Sequence, residues 1–209
     1  DRGKILGDLY FNYLADNKAY SVNLSDLQPE ILENTAGKIQ LFWQFPAGVR
    51  LYQTFTVSGE EIEWDIEFFN RSRHTVNIMD MCLTVPIGAI DESVQACQNL
   101  NRHFSLNGSS SFLYWIPYTG QGDILLMSMK KGTAMEYATW DGKYYLHATN
   151  VVDRANDTWR IPSTSKTVAP YQRYLTGFNF TVAKDYTDLR GKLYDKGNVL
   201  VKVAPGMVV

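Results

Sequence analysis

Residues 61–68 alternate strictly between acidic and apolar side chains, and this pattern sets the strongest limit on the fold. The apolar positions are Ile62, Trp64, Ile66 and Phe68, and the acidic positions are Glu61, Glu63, Asp65 and Glu67. Successive side chains of a β-strand point to opposite faces, so a period of two predicts a strand with one face in a core. We interpret the acidic row as a solvated surface.

The same β-rich, alternating character is clear from residue 38 onward. The predicted strands cover residues 38–45, 49–57, 62–68, 74–85, 103–106, 112–117, 124–129, 134–139, 144–147, 171–182 and 199–203. Turn residues separate them, and Asp141-Gly142 is a strong hairpin signal. The polar composition of residues 150–166 predicts a long loop.

Helical character is confined to residues 185–196. Asp185 is a candidate N-cap, Leu189 and Leu193 are four residues apart, and Gly197 is a candidate C-cap glycine. Many short strands with one helix and no β-α-β rhythm predict an all-β, antiparallel two-sheet sandwich.

Composition and charge exclude several classes of protein. The 209-residue chain has a formal net charge of −2 with scattered Lys and Arg, whereas a nucleic-acid binder needs a basic stripe. The apolar runs are shorter than the roughly 20 residues that span a bilayer. Cys82 and Cys97 lack metal-ligand spacing, and buried thiols are favoured over a bridge between them. Gly120-Gln121-Gly122 lacks the third glycine of a dinucleotide-binding motif, so no dinucleotide cofactor is expected. With no metal-ligand spacing either, we expect no metal site.

The two ends of the chain favour a fragment of a longer protein. The chain starts at Asp1 rather than Met, and it ends on Met207-Val208-Val209. A C-terminus is more often polar and frayed than apolar. We expect residues 1–209 to be one sandwich domain without an internal boundary, cut near a domain junction.

Several segments of the second half resemble a pattern in bacterial polysaccharide-utilisation proteins. They are His103-Phe104-Ser105, residues 108–112, Tyr114-Trp115, residues 122–127, residues 132–137, residues 189–197 and residues 203–209. The resemblance covers roughly residues 60–209. Those multi-domain proteins, often labelled as domains of unknown function, carry an N-terminal β-supersandwich of the galactose-mutarotase-like type. An (α/α) toroid follows it, a layout common among glycoside hydrolases and polysaccharide lyases.

The resemblance implies a secreted or periplasmic protein, a carbohydrate ligand and a C-terminal catalytic domain outside this chain. In mutarotase-type sandwiches a His acts as general acid and a Glu takes the anomeric proton. His103 and Glu136 are the candidates for that pair here, although a structural role for His103 is favoured. Asp80, in an apolar strand, needs a partner, and we expect an arginine or backbone amides to supply it.

Aromatic side chains between residues 112 and 146 are the best candidates for sugar contacts, because sugar C–H faces pack on such rings. The candidates are Trp115, Trp140, Tyr137 and Tyr118. The alternative, that these rings fill the core or a domain contact, stays open. We expect Trp140, beside the predicted hairpin turn, to be exposed.

We therefore expect a non-catalytic N-terminal domain of a secreted glycoside hydrolase or polysaccharide lyase. It would pack on the catalytic domain and could contribute to carbohydrate binding. A free-standing carbohydrate-binding module is the first alternative, and an aldose-epimerase-like enzyme is the second.

Overall fold

A computed structural model describes residues 8–85, 100–117, 120–140, 144–149 and 164–200. The strands are β1 (Leu9–Ala15), β2 (Lys18–Asn23), β3 (Glu30–Thr35), β4 (Lys38–Gln44), β5 (Val49–Ser58), β6 (Glu61–Asn70), β7 (Val76–Val85), β8 (Leu100–Ser105), β9 (Phe112–Pro117), β10 (Ile124–Met129), β11 (Tyr137–Trp140), β12 (Tyr144–Thr149), β13 (Lys166–Val168) and β14 (Arg173–Ala183). The helix α1 spans Tyr186–Asp195, and short 3-10 turns span Leu24–Asp26 and Pro46–Gly48.

The strands form two antiparallel sheets. In the part of the chain that the structure describes, the smaller sheet has the order β11-β12-β7-β1-β2, with β13 also paired to β7. The larger sheet has eight strands in the order β3-β4-β5-β6-β14-β10-β9-β8. This architecture confirms the predicted all-β sandwich.

The core lies between the two sheets and is rich in aromatic side chains. Alternate residues of β1 are buried, and Phe11 and Tyr13 are fully enclosed. Phe11 meets Phe68 of β6 edge to face, with ring centroids 4.9 Å apart. This contact joins the centre of the smaller sheet to the centre of the larger one. Such an aromatic pair stabilises a fold by about 0.5–1.5 kcal/mol beyond the stabilisation that comes from burying the area of the two rings.

Strand β6 has the predicted alternation, but its acidic row is more than a solvated surface. Lys130 Nζ donates to Glu63 Oε2 and Asp65 Oδ1, each over 2.7 Å. Further ion pairs link Lys196 to Glu61 over 2.8 Å and Arg173 to Glu67. The hydrogen bond from Lys130 lowers the pKa of Glu63. The acidic row is therefore held by cations from β14 and from the loops that follow β10 and α1.

Helix α1 confirms the predicted capping and covers part of the outer surface of the larger sheet. The Asp185 side chain accepts hydrogen bonds from the backbone N–H groups of Thr187 and Asp188, over 2.8 and 2.9 Å. Leu189 and Leu193 are buried in a cluster with residues of β9 and β10. The helix ends before Gly197, whose φ of 77° is the left-handed conformation of a C-cap glycine.

The strand boundaries differ from the predicted ones in three places. Strands β1, β2 and β3 lie before residue 38, where no strand was predicted. The segment predicted as a strand from residue 134 becomes one only at Tyr137. Val199 and Leu200 are not in a strand, and the rest of the strand predicted for 199–203 lies outside the described residues. Most of the predicted loop 150–166 and Cys97 also lie outside them, whereas Cys82 is buried.

Candidate functional site

The surface of the smaller sheet that points away from the core is lined by tyrosines and small polar groups. We call it the outer face. Its polar and aromatic members occupy outward positions of β1, β7, β11 and β12: Tyr10, Asn12, Asn77, Asp80, Cys82, Thr84, Tyr137, Thr139, Tyr145 and His147. Of these, Cys82, Thr84 and His147 are buried, and Leu14 is an apolar outward residue of β1. Strand alternation places them there, because the residues between them in β1 and β7 are largely core residues.

A chain of hydrogen bonds across three strands forms the centre of the outer face. His147 Nδ1 lies 2.8 Å from Asp80 Oδ1, and His147 Nε2 lies 2.9 Å from Thr139 Oγ1. An ionised carboxylate only accepts, so Nδ1 carries the proton and donates it to Asp80. In the neutral imidazole Nε2 then accepts from the Thr139 hydroxyl. The partner of Asp80 is thus a histidine, not the arginine or backbone amides expected from the sequence.

The ring of Tyr137 covers the imidazole of His147. The two rings are stacked with centroids 4.4 Å apart and planes 2° from parallel. Only 7% of His147 is exposed, so this stacking and the two hydrogen bonds fix its orientation. Burial, with the nearby Asp80 carboxylate and Cys82, raises the pKa of Tyr137 to about 12. Its hydroxyl therefore stays protonated at neutral pH.

Strand β1 extends the outer face on the other side of β7. Asn12 lies opposite Asp80, and Tyr10 lies opposite Cys82. The Tyr10 hydroxyl donates to Asn12 Oδ1 over 3.0 Å, so both side chains are held in place. The result is a surface on which aromatic rings alternate with hydrogen-bonding groups over neighbouring strands.

The outer face carries a negative charge at its centre. Among the described outward positions of β1, β2, β7, β11, β12 and β13, the acidic side chain is that of Asp80, and none of the side chains is a lysine or an arginine. The described residues contain no group of three or more His, Cys, Asp and Glu suited to a metal ion. Within the same ranges, no helix has the length and apolarity that a membrane crossing requires.

The structure places the predicted sugar-contacting aromatics very differently from one another. Tyr137 lies on the outer face, beside His147. Trp115 of β9 is 1% exposed and packed between the sheets, so its ring lies in the core, as the open alternative for these rings allowed. Trp140 ends β11, but its side chain is not among the described ones, and Tyr118 lies outside the described residues.

The predicted acid–base pair is not brought together. His103 lies on β8 in the larger sheet, is exposed, and stacks on Tyr114 with centroids 4.7 Å apart. Glu136 directly precedes β11 in the smaller sheet, and its backbone N–H donates to the carbonyl oxygen of His147 over 2.8 Å. Both residues are described, and no hydrogen bond or ion pair joins their side chains. The histidine that the structure does place beside a carboxylate is His147.

Comparisons with known proteins give matches in structure but not in sequence. No protein-family model matches the chain, and no curated protein matches its sequence. A polysaccharide lyase superimposes with a TM-score of 0.69 at 16% identity, over 93% of this chain and 28% of the lyase. A galactose mutarotase related enzyme from Lactobacillus acidophilus gives a TM-score of 0.53 at 10% identity, over 84% of this chain and 79% of that one.

A third similar structure is the GH36 α-galactosidase AgaB from Geobacillus stearothermophilus. Its TM-score is 0.50 at 9% identity, over 88% of this chain and 31% of the α-galactosidase. The chain thus spans less than a third of both the lyase and the α-galactosidase. At such low identities a structural likeness is evidence about fold. The chain therefore has the galactose-mutarotase-like β-sandwich fold, which occurs as a domain of carbohydrate-active proteins.

Proposed function

We propose that this chain is a carbohydrate-binding domain of a carbohydrate-active protein and that the outer face of the smaller sheet is its binding surface. The observation that carries the proposal is the fixed set of Tyr10, Asn12, Asp80, Tyr137 and Thr139 on neighbouring strands of that face. The fold, which carbohydrate-active proteins share, adds support.

The chemistry of these groups matches that of a sugar. The apolar C–H faces of a pyranose pack on tyrosine rings, which are large and lose little conformational entropy on binding. Its hydroxyls can donate to the oxygens of Asn12, Asp80 and Thr139. Because the Asp80–His147–Thr139 hydrogen bonds and the Tyr10–Asn12 hydrogen bond hold these groups before a ligand arrives, little ordering is left to oppose binding.

The domain is proposed to be non-catalytic and to pack, in the whole protein, on the catalytic domain of a secreted or periplasmic glycoside hydrolase or polysaccharide lyase. The lyase and the α-galactosidase support this, since the matched fold accounts for 28% and 31% of those chains. The C-terminal catalytic domain would then supply the chemistry, and this chain would supply binding.

The free-standing module and the aldose-epimerase-like enzyme remain the alternatives. The epimerase gains one observation, because the chain matches 79% of the galactose mutarotase related enzyme. Proton transfer on a sugar would then fall to His147, held by Asp80, rather than to the separated His103 and Glu136. NMR exchange spectra of glucose and galactose distinguish the cases, because only the epimerase accelerates anomer exchange and loses that rate in a His147→Gln variant.

Binding to the outer face is tested by titration calorimetry of the chain with neutral gluco-, galacto-, manno- and xylo-oligosaccharides. Tyr10→Ala and Tyr137→Ala are expected to weaken binding about tenfold each, a loss of about 1.4 kcal/mol that fits one aromatic contact. Tyr52→Ala is the matched control. Tyr52 packs on Phe42 with centroids 5.0 Å apart, on the outer surface of the larger sheet. Equal loss of affinity in Tyr52→Ala, or none in the other two, contradicts the proposed surface.

A further inference from the structure

We propose that the outer face selects neutral sugars and rejects uronic acids. This inference rests on the proposed carbohydrate binding and adds the class of ligand to it. Two independent features of the outer face, its charge and the direction of its hydrogen bonds, lead to the same selection.

The first feature is charge. Asp80 lies at the centre of the outer face, and the described outward positions of this sheet offer no lysine or arginine to a ligand carboxylate. The contrast with β6 is clear, because Glu63 and Asp65 share Lys130 and Glu61 pairs with Lys196. A uronate bound beside Asp80 would bring a second carboxylate into a partly buried site, where like charges repel more strongly than in water.

The second feature is the direction of the hydrogen bonds. When the His147 imidazole is neutral, the Thr139 hydroxyl donates its proton to His147 Nε2, and Asp80 accepts the proton of His147 Nδ1. The oxygens of Thr139 and Asp80 then face a ligand as acceptors, whereas the amide N–H groups of Asn12 can donate to either class of sugar. A sugar hydroxyl can donate to the oxygens of Thr139 and Asp80, but a carboxylate has no proton to donate. A uronate would lose the hydrogen bond that the replaced C6 hydroxyl donates to these two oxygens, and it would also meet the Asp80 charge.

The test uses oligomers that differ only at the carboxyl group. Oligogalacturonate, oligoglucuronate and oligomannuronate are each compared with their carboxyl-reduced products, which are galactose, glucose and mannose oligomers of the same linkage. Titration calorimetry of the chain at low salt should give at least one reduced oligomer that binds ten times more tightly than its uronate parent. The difference should shrink at high salt, because screening weakens repulsion between partly exposed charges.

Two variants probe the reason for the selection. Asp80→Asn keeps an acceptor for His147 Nδ1 but removes the charge, so the preference for the reduced oligomer should fall at least threefold. Asn77→Lys adds a cation at an outward position of β7, and it should raise the affinity for the uronate. Tyr137→Ala removes an aromatic ring from the outer face. It should weaken binding of the reduced oligomer and thereby show that the oligomer binds at this face.

The possible outcomes separate the two proposals. A uronate that binds as tightly as its reduced partner, with loss of binding in Tyr137→Ala, overturns the selection but leaves carbohydrate binding standing. Binding that keeps its full affinity in Tyr137→Ala overturns the outer face as the site. Absence of binding for every oligomer overturns the proposed function itself.

Discussion

Gly177 is predicted to be the position at which the smallest addition does the most damage. It lies on β14, opposite Asp65 of β6, in the middle of the larger sheet. An ideal Cβ built on Gly177 would lie 2.3 Å from the carbonyl oxygen of Trp64 and 3.2 Å from the Asp65 Cα. Both are backbone atoms, so no side-chain rotation relieves the contact.

The expected loss of stability follows from the 2.3 Å distance between the added Cβ and the Trp64 carbonyl oxygen. A normal contact needs roughly 3.4 Å, so β6 and β14 would have to separate by about 1 Å from the usual strand spacing of about 4.8 Å. The hydrogen bonds of the Gly177 N–H to Thr133 Oγ1, 2.7 Å, and of the Lys130 N–H to the Gly177 carbonyl, 3.1 Å, would be strained too. Overpacking of this kind costs about 1–3 kcal/mol. For a domain of this size we expect Gly177→Ala to lower Tm by about 3–10 °C.

Gly191→Ala is the matched control for the same chemical change. Gly191 lies inside α1, is exposed, and an added Cβ would meet nothing within 4 Å. Alanine stabilises a helix interior by about 1 kcal/mol relative to glycine. Urea unfolding of both variants should therefore give free-energy changes of opposite sign. A Gly177→Ala variant as stable as the wild type would refute the close approach of β6 and β14.

Three further changes test other parts of the structure. Asn70 is 2% exposed, and its side chain donates to the carbonyl oxygens of His74, Val168 and Ala169. Asn70→Ala should therefore lower the free energy of unfolding in urea by about 2–3 kcal/mol. A loss below about 0.5 kcal/mol would contradict these hydrogen bonds. Asp80→Ala leaves the buried His147 Nδ1–H without its acceptor and should cost about 1–3 kcal/mol, whereas Asp80→Asn should cost less; equal losses would show that the acceptor is unimportant. The pKa of Glu63 is lowered by Lys130, so this ion pair stabilises the fold above the ordinary Glu value of 4.5 and its contribution is lost as pH falls through the lower folded value. Thermal unfolding between pH 3 and 7 should accordingly show a weaker acid dependence in Lys130→Met, and an unchanged profile would count against the pairing.

Strand β6 and helix α1 were predicted from the positions of their polar residues and glycine. Strand β6 alternates carboxylates with core residues, and Asp185 and Gly197 mark both ends of α1. Strand β1 was missed because its outward positions include Tyr10 and Leu14, which hide the alternation with Phe11 and Tyr13.

The sequence leaves the position of Trp115 in the core open for a related reason. Strand β9 is buried on both faces, since its other side lies under Leu189 and Leu193 of α1. A strand without a polar face gives no sign of which ring points toward a ligand. Local sequence therefore could not separate a core tryptophan from a surface one.

The centre of the outer face could not be predicted for a different reason. Asp80 and His147 are 67 residues apart in the chain, and their contact depends on the pairing register of β7 with β12. A sequence pattern reports the period of one strand, not which residues of two strands meet. Tyr137 was found because aromatic content is visible locally, but its stacking on His147 was not.

The position of β14 between β6 and β10 has a consequence for how the protein is made. Strand β6 ends at Asn70, and the strand that pairs with its free edge begins only at Arg173. At translation rates of about 5–20 residues per second, the intervening hundred residues take roughly 5–20 s to synthesise. During that interval the ribosome-bound chain holds an unpaired edge on β6, and unpaired strand edges can recruit other strands. Slower synthesis of this stretch would lengthen that exposure, so aggregation of nascent chains should depend on the codons between β6 and β14.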